Sequence, residues 1–123
     1  MNADDLDEFL RQNGLVVTTI TGKDNVAYTV IEGFEIPCGS LAGRTCDVAI
    51  ARVDAVPYVV PPAIHTKPPL VPMNAGQPLA TQPSPIDPDT WQYWSRRLDR
   101  PPTPKAILTH ILTILCDPSW PTN

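Results

Sequence analysis

The distribution of proline limits this chain more than any other feature of its sequence. Sixteen of the 123 residues are proline, and 13 of these lie between Pro57 and Pro104. Proline has no amide proton to donate to a sheet, and it breaks the interior of a helix. We therefore predict a long crossover over residues 67–103, without regular structure apart from a helical turn that begins near Asp87-Pro88-Asp89.

The residues before the crossover predict a helix followed by an antiparallel meander. Apolar residues at i, i+3 and i+4 form one stripe within residues 3–13, and carboxylates crowd the first turn. Residues 15–66 are predicted to form a β-meander of three or four strands, opened by a hairpin around the turn residues 21–25. Its third strand, residues 46–53, predicts one buried face, because Cys46, Val48 and Ile50 alternate with Asp47, Ala49 and Ala51. The candidate for a short fourth strand is 63–66.

The residues after the crossover predict a helix over 104–116. Thr103 is the expected N-cap, Pro104 takes the first helical position, and Asp117-Pro118 ends the helix. Its broad apolar face predicts that it packs across one face of the sheet. The predicted fold class is therefore α+β, with one domain spanning residues 1–123.

Composition argues against several classes of protein. The net charge is -4, whereas nucleic-acid binding needs a basic surface. No apolar run reaches the ~18 residues of a membrane span, and the N-terminus lacks the basic and apolar regions of a signal peptide. Three irregularly spaced cysteines predict neither a disulfide framework nor a zinc site. We expect a cytoplasmic protein without a metal or organic cofactor.

The most informative segment is Trp91-Gln92-Tyr93-Trp94-Ser95-Arg96-Arg97. Its two tryptophans are interpreted as anchors that hold the crossover to the sheet, or alternatively as a hot spot for a partner. Ser95 is either a surface hydroxyl or a nucleophile. Cys46 and Cys116 are expected to pack in the core, which leaves Cys38 as the cysteine alternative to Ser95.

Several short motifs occur in order along the chain and carry a resemblance to a known family. They are Ile31-Glu32-Gly33 followed by Pro37, then Val56-Pro57-Tyr58-Val59-Val60-Pro61-Pro62-Ala63-Ile64, then Pro72-Met73-Asn74, then Trp91-x-x-Trp94-Ser95-Arg96 before a proline-rich step into the last helix. In this order they resemble the ubiquitin-conjugating enzyme (UBC-like) superfamily. The last motif is similar to that of a divergent bacterial branch that carries Trp-x-x-Trp-Ser-Arg-His. The resemblance covers roughly residues 3–117.

The resemblance implies a function in a bacterial ubiquitin-like modification system. Members of the superfamily accept the activated C-terminus of a ubiquitin-like protein from an adenylating activating enzyme and pass it to a target. The bacterial branch is generally found alongside metallopeptidases as well, and such systems are associated with defence against phage. By analogy with the fold, the acidic N-terminal helix is the expected docking face for the activating enzyme.

The chain departs from the family at the residues that carry the chemistry. No cysteine stands where the family has its acceptor, and the family histidines are missing, with Arg97 at one of their positions. Ser95 is the nearby nucleophile, which predicts an oxyester intermediate. Arg96, Arg97 and Asn74 are the candidate stabilisers of its oxyanion.

Two residues, His65 and Asp99, are candidates for the general base that activates the Ser95 hydroxyl. Two alternatives to an enzyme remain open as well. One is a catalytically inactive UBC-like scaffold or binding module for the ubiquitin-like protein or the activating enzyme. The other is an unrelated small α+β interaction protein whose aromatic loop binds a partner.

Overall fold

The computed structural model describes residues 1–53 and 59–121, which form two helices and one antiparallel sheet. Within these residues the sheet has six strands in the order β1-β2-β3-β4-β6-β5. The predicted α+β class, with a helix at each end of the sheet sequence, is confirmed. The elements are α1 (Ala3–Gln12), β1 (Val16–Thr21), β2 (Ala27–Glu35), β3 (Thr45–Ala51), β4 (Ala63–Lys67), β5 (Thr81–Pro83), β6 (Gln92–Ser95) and α2 (Pro104–Leu115).

Both helices begin at side chains that satisfy backbone amides. At α1 the Asn2 side chain accepts from the Asp5 amide at 2.9 Å, and the Asp5 carboxylate accepts from the Asn2 amide at 2.8 Å. At α2 the Thr103 hydroxyl accepts from the Ala106 amide at 3.1 Å, and Pro104 follows as the first helical residue. The predicted start of α2 is therefore confirmed. The α1 helix ends at Gln12, one residue before the predicted end.

The meander follows the predicted hairpin and contains one bulge. Strands β1 and β2 pair from Val16 opposite Glu32 to Thr21 opposite Ala27. The pairing of β2 with β3 shifts register between Ile31 and Phe34, where Gly33 has φ of 62°. A glycine accepts this left-handed conformation without strain, which explains the Ile-Glu-Gly sequence at this point.

Both helices pack on the same face of the sheet and form the main core there. Leu6 and Leu10 of α1 and Ile107 and Ile111 of α2 are each at most 2% exposed. The α1 helix contacts both α2 and β1. The sheet contributes, among others, these core residues: Val17, Ile31, Phe34, Cys46, Val48, Ile64 and Trp94.

The opposite face of the sheet is covered as well, and this corrects one prediction. We expected Ala49 to lie on an uncovered face of β3, but it is completely buried. The crossover lays Ile86 and Trp91 over Tyr28, Val30 and Ala49 in a second, smaller apolar cluster. The small side chain of Ala49 leaves room for these larger residues, a contact that the alternation of one strand does not reveal.

The prediction that the crossover lacks regular structure is wrong at β5 and β6. Strand β6 contains no proline, and it pairs with β4 from Ala63 opposite Ser95 to Thr66 opposite Gln92. Strand β5 ends at Pro83 and lies at the sheet edge, where a missing amide donor costs little. At the expected helical turn, the Trp91 amide donates to the Asp87 carbonyl at 2.9 Å, which closes a single turn.

The proline motif is described only in part, and β3 is shorter than predicted. Val56, Pro57 and Tyr58 of the proline motif lie outside the described residues. The predicted third strand extended to Val53, whereas β3 ends at Ala51. Across the described residues, neither helix has the length and apolar character that spanning a bilayer requires.

Candidate functional site

Ser95 is the last residue of β6, and its side chain is exposed. Its amide donates to the Ala80 carbonyl at 3.0 Å, and the following amide of Arg96 donates to the Pro62 carbonyl at 2.8 Å. The backbone of Ser95 is thus held on one side by the segment before β5 and on the other by the segment before β4. No described side chain makes a hydrogen bond to the Ser95 hydroxyl. The result is a fixed backbone that carries an unpaired alcohol.

Trp91 and Trp94 anchor the site from opposite faces of the sheet. Trp94 is fully buried in the main core, donates from Nε1 to the Thr66 hydroxyl at 2.9 Å, and meets the Trp120 ring edge-on at 5.9 Å. Trp91 is buried in the second cluster. An odd separation along an extended chain places two side chains on opposite faces. This geometry agrees with the interpretation of both rings as anchors.

Gln92 is a further anchor that sequence reasoning missed. Its side chain is fully buried, its Oε1 accepts from the amides of Leu70 and Val71 at 2.8 and 3.3 Å, and its Nε2 donates to the Val71 carbonyl at 2.9 Å. A buried amide needs such partners to offset its desolvation. A glutamine two positions before a core tryptophan was the available signal, since residues i and i+2 of a strand share a face.

Arg96 stabilises the backbone around the site, and its guanidinium is already engaged. It donates to the carbonyls of Ser95, Pro78 and Leu79 at 2.7, 3.2 and 2.7 Å. The same group lies 5.7 Å from the ring centre of Trp94 and 5.3 Å from that of Trp120. Arg96 therefore faces the main core. Strand alternation sends the Ser95 side chain to the other face, so the predicted oxyanion contact needs a rearrangement.

Asn74 is separated from Ser95 by the start of β5. The carbonyl of the Ala80–Thr81 peptide group accepts from the Ser95 amide, while the N–H of the same group donates to the Asn74 carbonyl at 2.8 Å. The two ends of a trans peptide group point in opposite directions. Asn74 and Ser95 therefore lie on opposite sides of this segment. The Asn74 Oδ1 accepts from the Gly76 amide at 2.9 Å in a local turn.

Arg97 is exposed and borders a cavity between the segment after β6 and helix α2. Asp99, one of the two candidate bases, and His110 border the same cavity. The structure thus brings Arg97 and Asp99 together, and it adds His110, which we had not placed near the site.

His65, the other candidate base, is buried beneath the crossover. It shares a sheet face with Ser95, but its Nδ1 lies 2.8 Å from the hydroxyl of buried Ser84, and its ring packs edge-on against Tyr28 and Tyr93. Burial is the largest influence on this imidazole and lowers its pKa to about 4, against a smaller opposing influence from Asp24. His65 is therefore neutral at physiological pH and tied to Ser84.

The buried imidazole predicts a loss of stability in mild acid. Above about pH 6.5 His65 is neutral in both the folded and unfolded states; between about pH 6.5 and 4 the unfolded state binds more protons. The free energy of unfolding should then fall with decreasing pH by up to ~1.4 kcal/mol per pH unit. Urea unfolding at about pH 7 and about pH 5 measures the slope, and His65→Gln should flatten it.

The low pKa of His65 that causes this pH dependence can be measured directly in the folded protein. An NMR titration of His65 should give a midpoint well below that of a free histidine. Two results together would contradict the assignment of the pH dependence to His65. They are an ordinary titration midpoint for His65 and an unfolding free energy that depends on pH in His65→Gln as it does in the unmodified protein.

The cysteines lie in three different environments. Cys46 is buried in the main core, and burial is the largest cause that raises the pKa of its thiol to about 12, which disfavours the thiolate. Cys38 is exposed. Cys116 follows α2, and its pKa is raised first by burial and then by the neighbouring Cys38 side chain. None of the three belongs to β6 or to the segment that follows it.

The candidate site thus consists of an exposed serine at the end of β6 and, starting two residues later, a separate cavity against α2 that Arg97 and Arg100 line. Within the described residues, no three His, Cys, Asp or Glu side chains come together as a ligand set for a metal ion. Comparisons with family models, curated proteins and solved structures found no match to this chain.

Proposed function

We propose that this protein is a UBC-like carrier in a bacterial ubiquitin-like modification system, with Ser95 as the acceptor of the activated C-terminus. The observation that carries the proposal is the position of Ser95. Ser95 is an exposed residue at the end of a strand whose backbone is held on both sides and whose preceding residue, Trp94, is fully buried. A fixed nucleophile lowers the entropic cost of the reaction.

The proposed step is an acyl transfer. The Ser95 Oγ forms a bond to the carbonyl carbon of the ubiquitin-like terminus, and the bond from that carbon to its leaving group on the activating enzyme breaks. The hydroxyl proton leaves with that group. Arg97 is an exposed cation two residues beyond this strand end, and in this proposal it supplies positive charge for the oxyanion.

A second candidate function is a UBC-like binding module without covalent chemistry. The observation that favours it is the environment of the candidate base and oxyanion donors. His65 is buried against Ser84, and the Arg96 guanidinium is occupied by carbonyls. A serine hydroxyl without a base is a weak nucleophile. In this function the same surface binds the ubiquitin-like protein or the activating enzyme.

One experiment separates the two candidates. The purified protein is incubated with ATP and with the adenylating enzyme and ubiquitin-like protein of the same genome, then examined by intact-mass spectrometry. We expect an adduct that survives thiol reductant, is cleaved by mild hydroxide and is absent in Ser95→Ala. Ser119→Ala, which removes another exposed hydroxyl, serves as the matched control and should still form it.

The remaining outcomes are decisive as well. An adduct that thiol reductant removes would identify a cysteine and exclude Ser95 as the acceptor. Stable co-elution with either protein and no adduct would support the binding module. Neither an adduct nor co-elution would exclude both functions.

A further inference from the structure

A cavity of about 260 Å³ lies between the segment after β6 and helix α2. It is open to solvent and has room for a carboxylate or phosphate group. Its polar lining consists of Arg97, Asp99 and Arg100 from the segment, and of Thr109, His110 and Thr113 from the helix.

The charge of this cavity favours an anion. The lining contains two arginines and one aspartate, so it is net positive even with a neutral imidazole. Within residues 1–53 and 59–121, neither Arg97 nor Arg100 forms a salt bridge. Guanidinium groups bind carboxylates and phosphates through paired hydrogen bonds. Two of them at one cavity without a protein partner are suited to an external oxyanion.

His110 lies at the same cavity with an unsatisfied nitrogen. Its Nε2 is buried and has no hydrogen-bond partner among the described residues. Burial is the largest cause that lowers the pKa of this imidazole, and the charges of Arg100 and Arg96 lower it further, whereas the neighbouring Arg96 backbone acts in the opposite direction. An anion bound beside it would offset those two positive charges and favour the protonated ring.

An apolar groove adjoins the cavity and shares Arg97, Leu98 and Arg100 with it. Its other walls are Val59, Val60, Pro62 and Pro102, and the groove has a volume of about 540 Å³. Val59 is 57% exposed, so this apolar wall of the groove is accessible to a ligand. A ligand that fills both spaces has an apolar part and an anionic end.

We propose that the cavity and groove bind the free carboxyl terminus of an extended peptide. The terminal carboxylate lies between Arg97 and Arg100, and apolar side chains of the peptide cover Val59, Val60 and Pro62. A phosphate group fits the cavity alone and leaves the apolar groove unused, which is why the peptide is favoured. This binding is non-covalent and does not depend on acyl transfer to Ser95.

The probe is a short, fluorescently labelled peptide of apolar and glycine residues, made with a free and with an amidated carboxyl terminus. By fluorescence anisotropy we expect the amidated form to bind about tenfold or more weakly, since amidation removes a charged, paired hydrogen bond. The double variant Arg97→Gln/Arg100→Gln should lose the free peptide to a similar degree. Lys105→Gln removes an exposed cation of α2 outside the cavity and should bind as the unmodified protein does.

Two further measurements make the test specific to this site. Val59→Ser should weaken the free peptide, because it removes an apolar wall of the groove while leaving both arginines in place. The NMR titration midpoint of His110 should rise when the free peptide is bound, because the peptide carboxylate offsets the positive charges of Arg96, Arg97 and Arg100. Asp99 is the negative charge that the cavity already contains.

Each alternative result overturns the proposal. Equal binding of the two peptides would show that the carboxylate is not recognised. Binding of inorganic phosphate, with no binding of either peptide, would assign the cavity to a phosphate ligand. No binding of any probe would leave the site without this function. Ser95→Ala should retain peptide binding, so failure of the carrier function and failure of this site are distinguishable.

Discussion

Trp94→Ala should lower the free energy of unfolding by about 3–5 kcal/mol, the range found when a large buried aromatic is truncated. Trp94 is 0% exposed, contacts Trp120 edge-on and lies under the Arg96 guanidinium. Alanine would leave a cavity in the main core and an unpaired Thr66 hydroxyl. Urea denaturation followed by circular dichroism measures the change, with the slope of the transition compared between variants.

Two variants control for this prediction. Trp94→Phe keeps an aromatic ring but removes the 2.9 Å hydrogen bond to Thr66, so its loss should be smaller, about 1–3 kcal/mol. Val16→Ala, at a residue 59% exposed, should cost about 0.5 kcal/mol or less. A Trp94→Ala loss as small as that of Val16→Ala would contradict the buried position of the ring.

Arg52→Met should have an effect of similar size, because it leaves a buried carboxylate without its cation. Asp7 is 6% exposed, and its carboxylate accepts hydrogen bonds from Arg52 and from the Thr29 hydroxyl, the latter at 2.7 Å. Arg52 also binds Asp4 at 2.6 Å and so ties α1 to the sheet. Removing one member of such a buried pair typically costs ~3–5 kcal/mol.

The matched control is Lys23→Met, which removes the cation of a solvent-exposed pair. Lys23 Nζ lies 3.3 Å from Asp87, and its side chain is 66% exposed, so the loss should stay below ~1 kcal/mol. The double variant Arg52→Met/Asp7→Leu should recover much of the loss, since no buried charge remains. Equal effects of Arg52→Met and Lys23→Met would show that the Asp7 pair is not desolvated.

The elements that could be predicted from the chain are those set by local chemistry. Thr103 and Pro104 define the start of α2 through a hydrogen bond and a preset φ angle, both of which act within one helical turn. The hairpin of β1 and β2 follows from strand-forming residues on both sides of a short turn. In these places neighbouring residues determine the outcome.

The crossover could not be predicted in the same way. Its proline content correctly indicated a long connection, but β6 forms because Gln92–Ser95 finds an unpaired edge on β4, far away in sequence. The burial of Ala49 has the same origin, since the residues that cover it come from the crossover. Pairing partners and the covering of a second face are properties of the whole chain, which a local pattern does not contain.

The candidate site illustrates the difference at the level of single residues. Ser95, Arg96 and Arg97 are adjacent in sequence, and adjacency suggested that they act together. The extended backbone sends neighbouring side chains to opposite faces, so Arg96 turns to Trp94 while Ser95 remains exposed. Asn74, grouped with them by motif, lies beyond β5.

Residue order was sufficient to establish an α+β chain with a capped terminal helix, an opening hairpin and a proline-stiffened crossover that carries an alcohol beside arginines. Tertiary structure decided which of those side chains meet. It placed His110 of α2 beside Arg97 and Asp99, and it buried His65 against Ser84. The physical reason is that caps and turns depend on hydrogen bonds between residues a few positions apart in sequence. A cavity depends instead on distant segments, which meet only when the apolar surfaces of sheet and helix are buried together.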